Sequence, residues 1–437
     1  MPSCRYGLLV IANLLCIAIC ARGDDWPQWR GPAGDGTSGE TGLPLAWTDS
    51  TGIAWKCELP PWGVSTPAIS GDALFLTSQS EDGRLVLLRI DKRTGRIEWT
   101  RQEGAGSTQA APAAGKDGQE RRRQKFNPTH NLASPSPVTD GKLVVVHFGN
   151  GDLAAYDFAG ERLWQRNLQK DYGDYTIWWG HANSPVLCGD LVISACMQDS
   201  LKGQPGEPSP SYLVAHDKQT GRQAWKTPRM TSAADEDCDS YATPILWHRG
   251  PRVEVVVLGG QVLDGYDPAT GRRLWHMPNL AGSRVIPSPV AARDMIYLVQ
   301  GKRKPLLAVR PGGPDERPRS DVVWSYDQRT TDSPTPVVCG PLFFMVNNEG
   351  YACCLDARTG EAFWTERLKG QYYASPLAAE GRIYFLNTKG LCTVISASRR
   401  FERVAENQLE DETVASPAIS DGRFFIRGRK WLYCLGK

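Results

Sequence analysis

The chain has 437 residues, 44 of them glycine and 31 proline, with 41% hydrophobic residues and a formal charge of +2. So much glycine and proline argues for many tight turns and against long helices. The near balance of 50 basic and 48 acidic side chains argues against nucleic acid as the main partner, which needs a net basic face.

Residues 1–23 read as an export signal. Arg5 supplies a positive start, and Gly7 to Cys20 form an apolar stretch of 14 residues, too short to span a bilayer comfortably. Ala21-Arg22-Gly23 offers small residues for cleavage before Asp24. Lipid anchoring would use Cys20, but Ile19 is bulky where that signal wants a small residue. The expectation is an exported protein, periplasmic or extracellular, with no lipid anchor and no transmembrane segment. Removing the segment takes away Arg5 and Arg22 and brings the charge to zero. Of 12 cysteines nine remain, an odd number that leaves at least one thiol unpaired or paired between chains. Their spacings match no zinc site.

Residues 24–52 follow as an N-terminal arm, and from residue 53 to 437 a repeat takes over. Ser/Thr-Pro opens a short apolar strand at Thr66, Ser136, Ser184, Thr243, Ser288, Thr335, Ser375 and Ser416, with steps of 70, 48, 59, 45, 47, 40 and 41 residues. Proline cannot donate to a ladder, so it suits the first residue of an edge strand, as the innermost strand of a propeller blade is. The long first step holds a Gly/Ala/Gln-rich insertion over about 104–125, read as a flexible, solvated loop despite Arg121-Arg122-Arg123. Downstream of most Ser/Thr-Pro pairs stands Asp-x-x-Thr-Gly-x-x-x-Trp: Asp91 to Trp99, Asp217 to Trp225, Asp267 to Trp275 and Asp356 to Trp364. The aspartate can cap a turn whose glycine is left-handed, and the tryptophan can fill the wedge between diverging blades. A unit of roughly 40–50 residues fits a four-stranded blade. Eight units give an all-β, eight-bladed β-propeller. Its last unit stops at Trp431–Leu435 without an outer strand, whereas Ile53–Leu59 reads as an outer strand with no unit before it. The N-terminal segment should therefore close the ring, which removes exposed edges. Counting along the closing strands puts Cys57 opposite Trp431, so no Cys57–Cys434 bridge is expected. The seventh unit is the weakest, with Phe401 where tryptophan is expected.

The unit Ala215-x-Asp217-x-x-Thr220-Gly221-x-x-x-Trp225 resembles the PQQ-like β-propeller repeat family, over about residues 53–437. Asp25-Trp26-Pro27-Gln28-Trp29-Arg30-Gly31-Pro32 resembles the lead-in of a secreted bacterial subgroup. The resemblance implies either a non-enzymatic scaffold, as in BamB, or a dehydrogenase holding pyrroloquinoline quinone and calcium. The enzyme branch also carries a bridge between adjacent cysteines. Cys353-Cys354 stand in register with a strand, where neighbouring side chains point to opposite faces, and no convincing calcium set of Glu, Asn and Asp can be assembled. The expected function is thus binding, with no catalytic residue, no metal and no bound cofactor, and a quinoprotein dehydrogenase as the alternative.

Loops leading into the Ser/Thr-Pro strands should meet at one channel mouth and carry the site. Three are unusual: His130 and Asn131 in the first, Trp178, Trp179, His181 and Asn183 in the second, Tyr372 and Tyr373 in the third. Arg284 and Arg329 add charge. Aromatic planes beside amide and arginine donors suit a glycan, a segment of a cell-envelope protein or a flat ligand. Asp235 to Asp239 reads as a solvated acidic loop at the same mouth. The molecule is expected to be a monomer.

Overall fold

The computed structural model describes residues 25–60, 62–106, 126–198, 211–311 and 321–436. The export segment with Cys20 and the basic run from Arg121 lie outside the described residues. The chain folds into eight antiparallel sheets of four strands, one of which takes up a fifth strand from the arm. In the third blade these strands are Val186–Cys188, Leu191–Cys196, Tyr212–Asp217 and Gln223–Pro228, running from the channel outward. Each sheet is covered by a neighbour on both faces, so its middle strands are buried without alternation, as in Leu143–His147. Gly104 and Ala105, placed in the insertion by composition, instead end the outer strand Ile97–Ala105 of the first blade.

The Asp-Thr-Gly-Trp pattern works between blades. Asp91 Oδ1 accepts from the amides of Arg93 and Thr94 and from the Thr94 hydroxyl, closing the turn. Trp55 Nε1 then reaches across to donate to the Lys92 carbonyl at 3.0 Å. Trp164 does the same to Lys218, Trp225 to Pro268 and Trp324 to Ala357, always in the following blade. Gly95 and Gly271 have φ of +74° and +69°. A Cβ on either would stand 2.5 or 2.4 Å from the covering indole. Glycine is thus needed twice, for its conformation and for the ring above it.

The eighth sheet is completed by Ile53–Glu58 against Trp431–Leu435, as the unpaired ends of the repeat require. Its register differs by one from the expected pairing. Cys57 faces Leu432 and Glu58 faces Trp431, because a bulge between Ile53 and Trp55 absorbs a residue. Cys57 and Cys434 are both thiols. In the seventh blade Ala405, not Phe401, holds the tryptophan position: it lies opposite Val394 as Trp364 lies opposite Cys354. Phe401 sits before the outer strand and meets Trp364 edge-on at 5.2 Å. The arm supplies the missing ring. Trp47 is 2% exposed and packs on Phe424 of the eighth blade. Asn407, two residues from Ala405, accepts from the Trp47 amide and donates to the Leu45 carbonyl.

The rest of the arm seals one end of the channel. Trp26 bridges Ile69 of the first inner strand, and Thr37–Ser38 adds in parallel to Leu377–Ala379 of the seventh. Carboxylates clamp the arm to the turns at that end: Asp25 takes the Ser70 hydroxyl and Gly71 amide, Glu40 the Asp421 and Gly422 amides, and Glu380 the Gly42 and Leu43 amides. Arg30, 1% exposed, sits at the axis and donates to the carbonyls of Thr335, Pro336 and Pro376.

Candidate ligand-binding cup at the channel mouth

The open end is the one where loops enter the inner strands. It encloses about 530 Å³, within the size range of small-molecule sites. Trp29 of the arm reaches this cavity from below. With the other end sealed, the channel is a cup.

A belt of hydrogen bonds lies around the cup, and it explains why seven of the eight units open on Ser or Thr. The Thr66 amide donates to Ser136 Oγ, Ser136 to Ser184 Oγ and Ser184 to Thr243 Oγ1, at 2.9 to 3.1 Å. The Ser288 amide donates to Thr335 Oγ1, Thr335 to Ser375 Oγ and Ser375 to Ser416 Oγ, at 2.9 to 3.0 Å. Thr66 Oγ1 closes the circle on the Ser416 carbonyl. The belt breaks once, between Thr243 and Ser288. Ser288 Oγ has no protein partner although the residue is 2% exposed and lines the cavity.

Of the residues singled out by sequence, His130, Trp179, Arg284 and Tyr373 line this cavity. His130 Nε2 donates to the Trp179 carbonyl at 2.7 Å, so the neutral ring turns Nδ1 to Ser134 Oγ at 2.9 Å. Both nitrogens are engaged, and the ring ties two loops together. Trp179 is further held by Glu236, which accepts from its indole at 2.8 Å, and by the Tyr241 hydroxyl on its amide. Arg284 meets Glu236 and Asp332, both at 3.3 Å. The other expected residues do not line the cavity. Asn131 and Asn183 brace backbone, donating to the carbonyls of Trp62 and Ala242. His181 is fully buried beside His147 and Tyr175, and Tyr372 is fully buried with its hydroxyl on the Lys369 carbonyl. Trp178 is edge-on to Trp179, and Arg329 is exposed and stacked on Tyr351. Trp29, Lys302, Tyr241 and the belt hydroxyls line the cup without having been singled out.

The acidic loop is a 3-10 turn, Asp235–Cys238, and is not simply solvated. Asp239 is fully buried and accepts from the Trp178 amide, and Glu236 carries the contacts above. Among the described residues no group of three or more His, Cys, Asp or Glu side chains is arranged to hold a metal ion. Cys353 and Cys354 are thiols facing opposite ways, Cys353 into the core shared with the fifth blade and Cys354 into that shared with the seventh.

Burial holds His130 and His181 neutral. His130 is pushed down to about 4 and His181 to about 3. A base with a lowered folded value leaves the unfolded chain binding more protons between that value and 6.5, so stability falls as pH drops through that window. At pH 5 the cost is on the order of 2 kcal/mol for each of the two rings. Urea midpoints are expected to fall from pH 7.5 to pH 5.0, with proton uptake on unfolding; equal midpoints would contradict these assignments.

The architecture defines a single-mouthed, eight-bladed β-propeller. The family model described as outer membrane protein assembly factor BamB matches residues 37–196, 209–317 and 315–420, and the chain belongs to that family. Among solved structures, BamB from Moraxella catarrhalis superposes with a TM-score of 0.58 at 12% identity, over 88% of this chain and 99% of that one. Quinohemoprotein alcohol dehydrogenase from Comamonas testosteroni gives 0.61 at 13%, over 96% and 82%. A europium-containing methanol dehydrogenase gives 0.57 at 12%, over 92% and 89%. At these identities the likeness is one of fold. No match to a curated protein sequence was found. Among the described residues no helix is long and apolar enough to cross a membrane.

Proposed function

We infer that the protein is an exported binding propeller that receives its ligand in the cup and catalyses no reaction. The observation that carries this reading is the arm itself. It spends Trp26 and Arg30 on sealing one end, and it leaves the other as a preformed, aromatic-walled recess on a rigid ring. The export segment expected from the sequence and the match to the family described as outer membrane protein assembly factor BamB support a partner in the cell envelope, as a protein or a glycan.

The quinoprotein alternative does not fit these residues. Calcium takes six to eight oxygen ligands, several of them carboxylates. Among the described residues Asp332 is the one carboxylate lining the cup, and it is engaged by Arg284. The adjacent cysteines lie inside a blade and away from the cavity.

A photo-crosslinker at Thr129 on the mouth, compared with one at Asp72 beside the arm, tests the reading. Envelope material should be captured from Thr129 and not from Asp72, and W179A should abolish capture. Capture from Asp72 alone would sink the assignment of the mouth. Dye-linked alcohol oxidation after adding pyrroloquinoline quinone and Ca²⁺ would sink the non-catalytic reading.

A further inference from the structure

We propose that the cup binds the end of an uncharged oligosaccharide, with a sugar ring against Trp179 and its hydroxyl groups on the Ser/Thr belt. This rests on the reading of the mouth as a ligand site and adds the ligand's chemistry. Three observations on the lining lead to it.

The first is charge. Arg284 is matched by Asp332 and Glu236, and His130 has both nitrogens occupied. Among the described residues Lys302 is the remaining cation of the lining, so these residues offer little to a polyanion. The second is the belt. An extended peptide docks by pairing its main chain with free backbone groups. Here the amides of Thr66, Ser136, Ser184, Ser288, Thr335 and Ser375 are already given to the neighbouring hydroxyl. What remains is hydroxyl chemistry. Ser136, Ser184, Thr335 and Ser375 each accept one amide, and a hydroxyl keeps a proton and a second lone pair for another partner. Ser288 Oγ, at the break in the belt, makes no protein bond at all. An unmet buried hydroxyl is costly, and a ligand hydroxyl placed there would relieve the cost. A molecule dense in hydroxyls that both donate and accept matches this surface.

The third is the aromatic lining. Trp179 and Tyr373 are on the walls and Trp29 is below. Trp179 is fixed at its amide, carbonyl and indole nitrogen. A fixed indole is a preorganised platform for the apolar face of a sugar ring, and binding loses little side-chain entropy there.

The test is calorimetric titration of the mature protein with cellotetraose, maltotetraose, laminaritetraose and N-acetylchitotetraose, with tryptophan fluorescence in parallel. At least one is expected to bind. S288A should weaken that binding about 2- to 12-fold, the value of one hydrogen bond, without lowering the urea midpoint, because Ser288 Oγ has no protein partner to lose. W179A should remove binding and the fluorescence change. Failure of all four sugars to bind overturns the proposal, as does binding that neither variant alters. If the sugars fail but Thr129 still crosslinks envelope protein, the saccharide falls and the ligand-binding mouth stands. If both fail, the mouth falls with it.

Discussion

Deleting Ile53–Glu58 is expected to destroy the folded monomer. The segment forms the outer strand of the eighth blade, paired residue by residue with Trp431–Leu435. It also carries Trp55, whose ring covers Gly95 and whose indole nitrogen holds the turn of the first blade. The last blade would be left with three strands and an open edge, and the first would lose its cover. Trp55 is half-buried, so its ring contributes less than the about 3–5 kcal/mol of a fully buried large aromatic. With the ladder and the buried Cys57 added, the loss approaches the whole stability of an ordinary domain, roughly 5–15 kcal/mol. The exposed Trp431–Leu435 edge, buried from Leu432 to Leu435 in the intact ring, is a template for association with a second chain. Light scattering after size exclusion should show aggregates in place of the discrete species that the intact protein forms, and urea unfolding should lose its single transition. A deletion variant that stays monomeric with an unchanged urea midpoint would show that the ring does not depend on this strand.

What could be read from sequence divides along the range of the interactions. The eight units and the turn role of Asp91 and Gly95 were legible because each depends on residues a few positions apart, and the closing strand, which pairs across the length of the chain, was legible because two local patterns were each incomplete. Single-residue placement was legible only where no bulge intervened. Cys57 was set opposite Trp431 because counting assumes one residue against one, and the bulge after Ile53 breaks that rule. Phe401 was given the tryptophan place because it is the aromatic ring near it, whereas the strand register carries that position to Ala405. The ring that compensates, Trp47, comes from the other end of the chain, and no periodicity could announce it.

The mouth shows the same division. Composition singled out His130, Trp179, Arg284 and Tyr373, and these four line the cavity. It could not tell Tyr373, which lines the cup, from Tyr372, which is fully buried, because that choice depends on how neighbouring loops pack. The recurring serine and threonine were visible, yet their proline neighbours drew the explanation. The hydroxyl belt emerges only when eight distant positions stand in a circle.

The arm makes the cup, so the second large effect belongs to Arg30. Its guanidinium is fully buried on the channel axis, and burial pushes it down to about 10, still protonated at neutral pH. It faces carbonyls from two blades, Thr335 and Pro336 in the sixth and Pro376 in the seventh, and also the Asp35 carbonyl of its own arm. R30A would leave these acceptors without their donors in a place water reaches poorly. Hydrogen bonds from a charged group are worth about 1.5–3 kcal/mol each, offset here by relief of the buried charge, so a net loss of about 2–4 kcal/mol is expected. Lysine should not restore it, since one ammonium cannot reproduce the planar fork that reaches several carbonyls. The loss should appear first in the arm. The Ala378 amide, bonded to the Gly36 carbonyl, should exchange its hydrogen faster, and the arm should become cleavable by protease while the blades resist. Because Trp29 adjoins Arg30, release of the arm also removes the bottom of the cup, and ligand binding should weaken even though Arg30 touches no ligand. If R30A kept wild-type exchange at Ala378 and wild-type binding, the arm would be a passive tail, and the channel would not owe its closed end to it.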